Sequence, residues 1–272
     1  MGIVQLSGRK LFYECHGDLE AGGPTPLLLV MGMAGSCKGW LPLQVPFFGE
    51  TRPVILFDHR GVGESEDTGE AFTTRDLAGD ALALLDFLDV AKADVLGPFM
   101  GGMTAQELAL LAPERVRRLV LVGTYARPDK KRLMLLKHWA QLVEMDLSAE
   151  TFIFNRLLWT LHEDTIEQSD LIQAMTDYYR KEGAPYTADL FVRQCGACAE
   201  HDTLESLSSI SQHTLLLCGR NDILTPPKFH HELAESLPDS RLISLNYGGH
   251  LIMVEAAERF NQLVVQFLDE EK

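Results

Sequence analysis

Three short stretches of this chain carry residue types suited to nucleophilic catalysis, and a fourth has the right shape but the wrong side chain. Gly219-Arg220-Asn221-Asp222 follows an apolar run and precedes Pro226-Pro227, so Asp222 can orient a histidine. Gly248-Gly249-His250 places a histidine after two glycines, free to swing towards a site. Gly32-Met33 ends a buried run, where the backbone N–H of Met33 can join that of Met100 in an oxyanion hole. Between them lies Gly97-Pro98-Phe99-Met100-Gly101-Gly102, an extended run that turns sharply into a helical pattern with glycines on both sides. That is the layout of a nucleophile elbow, G-x-S-x-G, with Phe99 at the serine position. Phenylalanine has no nucleophile, so no covalent acyl-enzyme can form on it. Taken singly, Asp222 also reads as a turn or capping aspartate and His250 as an ordinary loop histidine. Together they fall in the order elbow, acid, histidine, one of the known chain orders of a catalytic triad.

The elements that must hold these residues are legible as alternating patterns. Ile3–Leu6 and Lys10–Cys15 flank Ser7-Gly8 as a hairpin, followed by a polar loop over Gly17–Pro26. Leu27–Val30, Val54–Phe57, Ala93–Leu96, Leu119–Val122, Thr214–Gly219 and Leu242–Leu245 are short apolar runs suited to strands buried on both faces. Trp40–Phe48 reads as helical or irregular. Thr74 is the expected cap of a helix carrying Leu77, Ala81, Leu84, Leu85 and Leu88, and Phe260, Leu263, Val264 and Phe267 form one stripe of a last helix. Strands alternating with helices predict an α/β fold, a doubly wound, mostly parallel sheet. Residues 126–211 break the alternation. They show helical periodicity, no strand, and much of the aromatic bulk: Trp139, Phe152, Phe154, Trp159, Tyr178, Tyr179 and Tyr186. The expected organisation is a core of residues 1–125 and 212–272 with a helical cap over residues 126–211, placed over the strand carboxyl ends where open α/β sheets bind ligands.

Composition narrows the function classes. A formal net charge of -15 argues against nucleic acid and anionic membranes as partners. No apolar run reaches the ~20 residues of a membrane span, and Met1–Lys10 has no secretory core, so a cytoplasmic protein is expected. Five cysteines at irregular spacing make no disulfide framework, and Cys195-Gly-Ala-Cys198 reads as an incidental pair. Gly61-Val-Gly63 lacks a third glycine, and His230-His231-Glu232 is not a zinc motif, so neither cofactor nor metal is expected. Glu163, Asp164, Glu167 and Asp170 read as a solvated helix face.

Over essentially its whole length the chain resembles the α/β-hydrolase fold superfamily. Asp58-x-Arg60-Gly61-x-Gly63-x-Ser65 resembles the loop after that family's fourth strand; Gly97-x-x-x-Gly101-Gly102, Gly219-x-x-Asp222 and Gly249-His250 resemble its elbow, acid and histidine motifs. Arg193–Ile210, with His201-Asp202, looks most like small esterases and 3-oxoadipate enol-lactonases, and Met31-Gly32 stands where His-Gly is common. The family usually reads Gly-His-Ser-Met-Gly-Gly where this chain reads Gly97-Pro98-Phe99-Met100-Gly101-Gly102. The resemblance implies His250 and Asp222 as catalytic residues, Met33 and Met100 as oxyanion donors, and Gly32, Trp40, Trp139, Trp159 and Leu251 in the substrate pocket. It leaves Asp129 as an alternative acid. Ser36 and Cys37, on the oxyanion loop, are the remaining candidate nucleophiles. Because the elbow residue of such folds sits at positive φ, either Phe99 is strained, at a cost on the order of 1–3 kcal/mol, or the elbow has relaxed.

Three functions remain open at this point. One is an ester or lactone hydrolase scaffold whose serine-dependent activity is absent or weak. A second is a cofactor-free lyase, decarboxylase, isomerase or oxygenase reaction using the His250–Asp222 pair as base. The third is a non-catalytic binder of small apolar ligands. All three take a small molecule with an apolar part, and a homodimer is allowed.

Overall fold

The computed structural model describes residues 1–6, 8–19, 22–145 and 147–271. Ser7 of the hairpin turn and Glu20 and Ala21 of the loop after it lie outside the described residues. Eight strands build one sheet: β1 (Gly2–Leu6), β2 (Arg9–His16), β3 (Leu27–Val30), β4 (Val54–Phe57), β5 (Ala93–Pro98), β6 (Val116–Val122), β7 (His213–Gly219) and β8 (Ser240–Leu245). Their order is β1-β2-β4-β3-β5-β6-β7-β8. The β1–β2 and β2–β4 pairs are antiparallel and the rest are parallel. The helices are α1 (Val45–Phe48), α2 (Thr74–Phe87), α3 (Met100–Leu111), α4 (Lys130–Glu144), α5 (Ala149–Thr160), α6 (Glu163–Ile166), α7 (Ser169–Glu182), α8 (Ala188–Glu200), α9 (Pro227–Ser236), α10 (Ile252–Glu255) and α11 (Ala257–Asp269).

Alternate residues of a strand face opposite sides of its sheet, and the central strands are apolar on both. Leu28, Val30, Ile55, Phe57 and Val95 pack with Ala81 and Leu84 of α2 and Leu108 of α3. Their neighbours Leu27, Leu29, Val54, Leu56 and Leu96 pack on the other face with Phe48 of α1 and Phe260, Val264 and Phe267 of α11. Each such fully buried side chain contributes about 1.5–3 kcal/mol. The chain steps from β3 to β4 on one side and then to β5 on the other. At that reversal the carboxyl ends of β3 and β5 open a crevice, the usual ligand position in a doubly wound sheet. β3 delivers Gly32-Met33 to it and β5 delivers Phe99.

The cap of α2 differs from expectation by one residue. Thr73, not Thr74, is the N-cap: its side chain accepts from Asp76 N–H while the Asp76 carboxylate accepts from Thr73 N–H at 2.8 Å. Thr74 has entered the helix, and its hydroxyl sits 2.9 Å from His201 Nδ1. Two adjacent threonines offered the same signal, and the reciprocal bond to an acid three residues on selects the first.

Between β6 and β7 the described residues form helices α4 to α8 and a 3-10 stretch over Leu204–Ser209. Trp139 of α4 is buried in a cluster with Phe99, Tyr125, Phe152 and Phe191. The side chains of Tyr178 and Tyr179 lie outside the described residues. Thr203 ties the end of the insertion down, donating its N–H to Ala126 O at 2.9 Å and its hydroxyl to Gln106 Oε1 at 2.7 Å. Among the described residues no helix is long and apolar enough to cross a membrane.

Candidate active site

The corner between β5 and α3 is tight because it has no room for side chains. A Cβ on Gly97 would strike the Gly101 carbonyl oxygen, and one on Gly101 the Val30 carbonyl oxygen. Glycine at both places lets β5, α3 and β3 meet at backbone distance. Phe99 is the residue at the apex, with φ 44° and ψ -111°. This left-handed backbone is costly for a bulky residue, on the order of 1–3 kcal/mol. It is held from three sides: Phe99 N–H donates to Val122 O at 2.9 Å, and the Phe99 carbonyl accepts from Thr124 Oγ1 at 2.8 Å and Met103 N–H at 3.0 Å. Of the two outcomes expected for this corner, strained or relaxed, it is strained.

Across from Phe99 stands a carboxylate-oriented imidazole. His250 Nδ1 lies 2.9 Å from Asp222 Oδ2 and 3.0 Å from Thr225 Oγ1. Asp222 also accepts from Thr225 N–H (Oδ1) and from the Thr225 hydroxyl (Oδ2), both at 2.7 Å. A carboxylate only accepts and the Thr225 hydrogen is committed to it, so Nδ1 carries the imidazole proton and Nε2 is left as the base nitrogen. Burial disfavours the Asp222 carboxylate. The adjacent His250 and the hydrogen bonds from His250 and Thr225 outweigh it and hold the pKa below the usual carboxylate range. Gly123, at φ 49°, backs the pair: a Cβ there would sit 3.1 Å from the His250 ring and 3.5 Å from Asp222 Oδ2.

The His250 ring meets the Phe99 ring edge-to-face, with centroids 5.4 Å apart and an 80° interplanar angle. Tyr125 also meets the Phe99 ring edge-to-face, at 5.8 Å and 82°. Gly32 passes close by, where a Cβ would stand 3.1 Å from Pro98 O and 3.9 Å from Phe99 Cβ. Met100 opens α3, and the first N–H groups of a helix have no intrahelical acceptor.

Phe99, His250 and Gly32 border a cavity of about 680 Å³. Gly32, Met33, Trp40, Phe99, Trp139, His250 and Leu251 line it; Asp222 and Met100 do not, lying behind His250 and Phe99. Trp159 is not among the lining residues either. On α5 the lining positions are Ile153, Arg156, Leu157 and Thr160, spaced i, i+3, i+4, i+7. Trp159 is off that stripe, half-buried, with Lys131 Nζ 5.6 Å from its ring centroid.

The remaining candidates are accounted for locally. Asp129 caps α4, accepting from Arg132 N–H at 2.8 Å, and pairs with Lys228 at 2.6 Å. Ser36 Oγ accepts from Lys38 N–H at 3.3 Å at the start of a 3-10 turn. Cys37 is fully buried, and burial, helped by the nearby Asp58, pushes its thiol well up, away from a thiolate. Cys195 and Cys198 are buried free thiols in α8. Of His230-His231, His230 is buried behind the dyad. Its Nε2 accepts from Thr124 N–H at 3.3 Å, and burial takes its pKa down to about 4.

Several partners of the site were not found from the sequence. Thr225 follows Asp222 by three residues, the spacing of an Asx-type turn, which is a usable signal. Arg156 interrupts an otherwise uncharged stripe, also visible in principle. Glu255 gives no local sign. Its carboxylate accepts from Gly249 N–H at 2.7 Å and from His162 N–H at 2.6 Å, while His250 N–H donates to Thr160 O at 2.8 Å. The histidine loop is thereby bonded directly to the helical insertion.

Comparison with known proteins agrees with the fold. A family model described as the alpha/beta hydrolase fold matches residues 25–257. A chain of Stutzerimonas stutzeri named "Putative carbamate hydrolase RutD" is 29% identical over 262 residues, covering 96% of this chain and 97% of that one. A chain of Mycobacterium tuberculosis named "Putative non-heme bromoperoxidase BpoC" is 30% identical over 261 residues, covering 95% and 97%. The crystal structure of the enol-lactonase from Burkholderia xenovorans LB400 superposes with a TM-score of 0.88 at 24% identity, covering 99% of this chain and all of that one, a likeness of fold.

Proposed function

As the chain belongs to the alpha/beta hydrolase fold family, we propose that it is a carboxylic ester or lactone hydrolase scaffold whose nucleophile position holds Phe99. His250 is its base, Asp222 the residue that orients it, and the N–H groups of Met33 and Met100 its oxyanion donors. Residues 126–211 act as a cap that closes the cavity over a small substrate with an apolar part. The observation that carries this reading is the His250–Asp222 pair set against residue 99, whose backbone keeps the strained turn that presents a nucleophile. A turn this costly is not needed to bury a phenylalanine. With no hydroxyl at residue 99, serine-type turnover of the chain is absent or weak.

The test is covalent. Phe99→Ser, treated with an alkyl fluorophosphonate, is expected to gain one adduct by intact-protein mass spectrometry, mapped to residue 99. The same variant with His250→Ala is expected to gain none. A folded Phe99→Ser that stays unlabelled overturns the reading.

A second reading is favoured by the completeness of the dyad. His250 faces the cavity with Nδ1 committed to Asp222, so its Nε2 can take a proton from water or from a carbon acid without residue 99. Turnover of a carbon acid by the unaltered chain, lost in His250→Ala, would establish it.

A further inference from the structure

Arg156 projects from α5 into the cavity. Among the described residues the cavity wall carries one arginine and one lysine, Arg156 and Lys38. Lys38 is committed to Glu64, Nζ to Oε1 at 2.9 Å. Arg156 has no carboxylate within ion-pair distance among the described residues. Its polar contacts among the described residues are both long: Nη1 donates to Tyr186 Oη at 3.5 Å and Nη2 to Met33 O at 3.4 Å. Its Nε is buried without a hydrogen-bond partner. The guanidinium carbon lies 5.8 Å from the Phe191 ring centroid, so one face of the fork rests on an aromatic ring.

A half-buried guanidinium that is always charged, and whose donors have only distant neutral acceptors, is under-satisfied. Arg9, Arg132 and Arg193 also carry a buried donor without a hydrogen-bond partner, but each of them has a carboxylate within ion-pair distance. Arg60 meets Asp80 at 2.7 Å and Arg193 meets Asp67 at 2.6 Å. Arg156 is also next to the reacting end of the cavity, because the Met33 carbonyl it approaches belongs to the loop proposed to supply an oxyanion donor.

We propose that Arg156 is a specificity-determining residue that pairs with a carboxylate on the substrate. The ligand class is then a small ester or lactone bearing one free carboxylate, with its apolar part against Trp40, Trp139 and Leu157. A planar fork suits a carboxylate through two parallel N–H···O bonds. The chain's formal charge of -15 gives it no general affinity for anions, so the preference has to arise at this side chain. The inference rests on the cavity being the substrate site but not on any turnover there.

Binding to the unaltered protein tests it, independently of residue 99. Titration calorimetry with 4-phenylbutyrate and with its neutral isostere 4-phenylbutyramide is expected to show the carboxylate binding about ten-fold or more tightly. Arg156→Gln is expected to erase that preference while leaving amide binding and the melting temperature nearly unchanged. Lys38→Gln is expected to keep it. Binding of the two ligands within about two-fold of each other, no binding of either, or a preference that survives Arg156→Gln overturns the proposal. Failure of Phe99→Ser to hydrolyse esters would leave these binding results standing and count only against the hydrolase reading.

Discussion

Replacing Phe99 by serine should cost stability and create activity, and both magnitudes follow from the contacts of one ring. Phe99 is 5% exposed. Deleting a buried phenylalanine side chain costs about 3–5 kcal/mol where a closed cavity is left. Included in that are edge-to-face contacts with His250 and Tyr125, about 0.5–1.5 kcal/mol each. Here the vacated space opens into the 680 Å³ cavity, where water can enter, and the new hydroxyl faces an imidazole. The lower end, about 3 kcal/mol, is therefore expected. The backbone strain stays, since serine is also an L-residue at φ 44°. At roughly 2–3 °C per kcal/mol for a chain of this size, the melting temperature should fall by about 5–10 °C. Phe99→Ala opens the same space without a nucleophile and is the decisive control. Loss of the nucleophile or base of a working triad costs about 10⁴–10⁶ in turnover. Phe99→Ser should accordingly hydrolyse p-nitrophenyl butyrate at least about 10³-fold faster than Phe99→Ala and the unaltered chain. Equal rates for folded serine and alanine variants, by steady-state assay alongside circular dichroism, would refute the reasoning.

Three further outcomes are expected. His59, His201 and His230 are fully or almost fully buried, and burial takes each pKa from 6.5 down to about 4. Between those values the unfolded chain binds protons that the native one does not, so their contribution is present above pH 6.5 and is lost as the pH falls towards 4. The slope is about 1.4 kcal/mol per pH unit for each histidine. His201→Gln should remove one such increment from the acid limb of a thermal unfolding series, and an unchanged limb would count against it. Gly123→Ala places a Cβ 3.1 Å from the His250 ring at a φ of 49°. It should cost about 1 kcal/mol or more, read as a fall of about 2–4 °C in melting temperature, and lower Phe99→Ser turnover at least about ten-fold. Glu255→Ala leaves the N–H groups of Gly249 and His162 without their acceptor. A loss of about 2 kcal/mol in denaturant unfolding is expected, with a lowered turnover in the Phe99→Ser background.

The fold was legible because β3 to β7 are apolar runs between turn residues, and a strand buried on both faces can hardly read otherwise. Gly97, Gly101 and Gly102 marked the corner because close backbone approach excludes every other residue type. Asp222 and His250 were placed by their position after strands. What bonds them was harder to read. Thr225 is local and could be deduced, whereas the Thr160 carbonyl and the Glu255 carboxylate reach the histidine loop from elsewhere in the chain. Trp159 illustrates the same limit: aromatic bulk in a helix says it packs, and only the helix's rotation says against what. Thr73 and Thr74 show that a cap can shift by one residue when the neighbour offers the same hydroxyl.

The unrelaxed corner at Phe99 has a genetic consequence. Phenylalanine codons become serine codons by one change at the second base. Because the glycines, the positive φ and the oriented imidazole are all in place, the protein needs no rebuilding of its backbone to receive a hydroxyl there. A library of single-base variants plated on a chromogenic ester therefore samples the gain of a nucleophile in one step. Pro98, whose ring removes one backbone donor beside that position, is the next residue such a selection would be expected to revise.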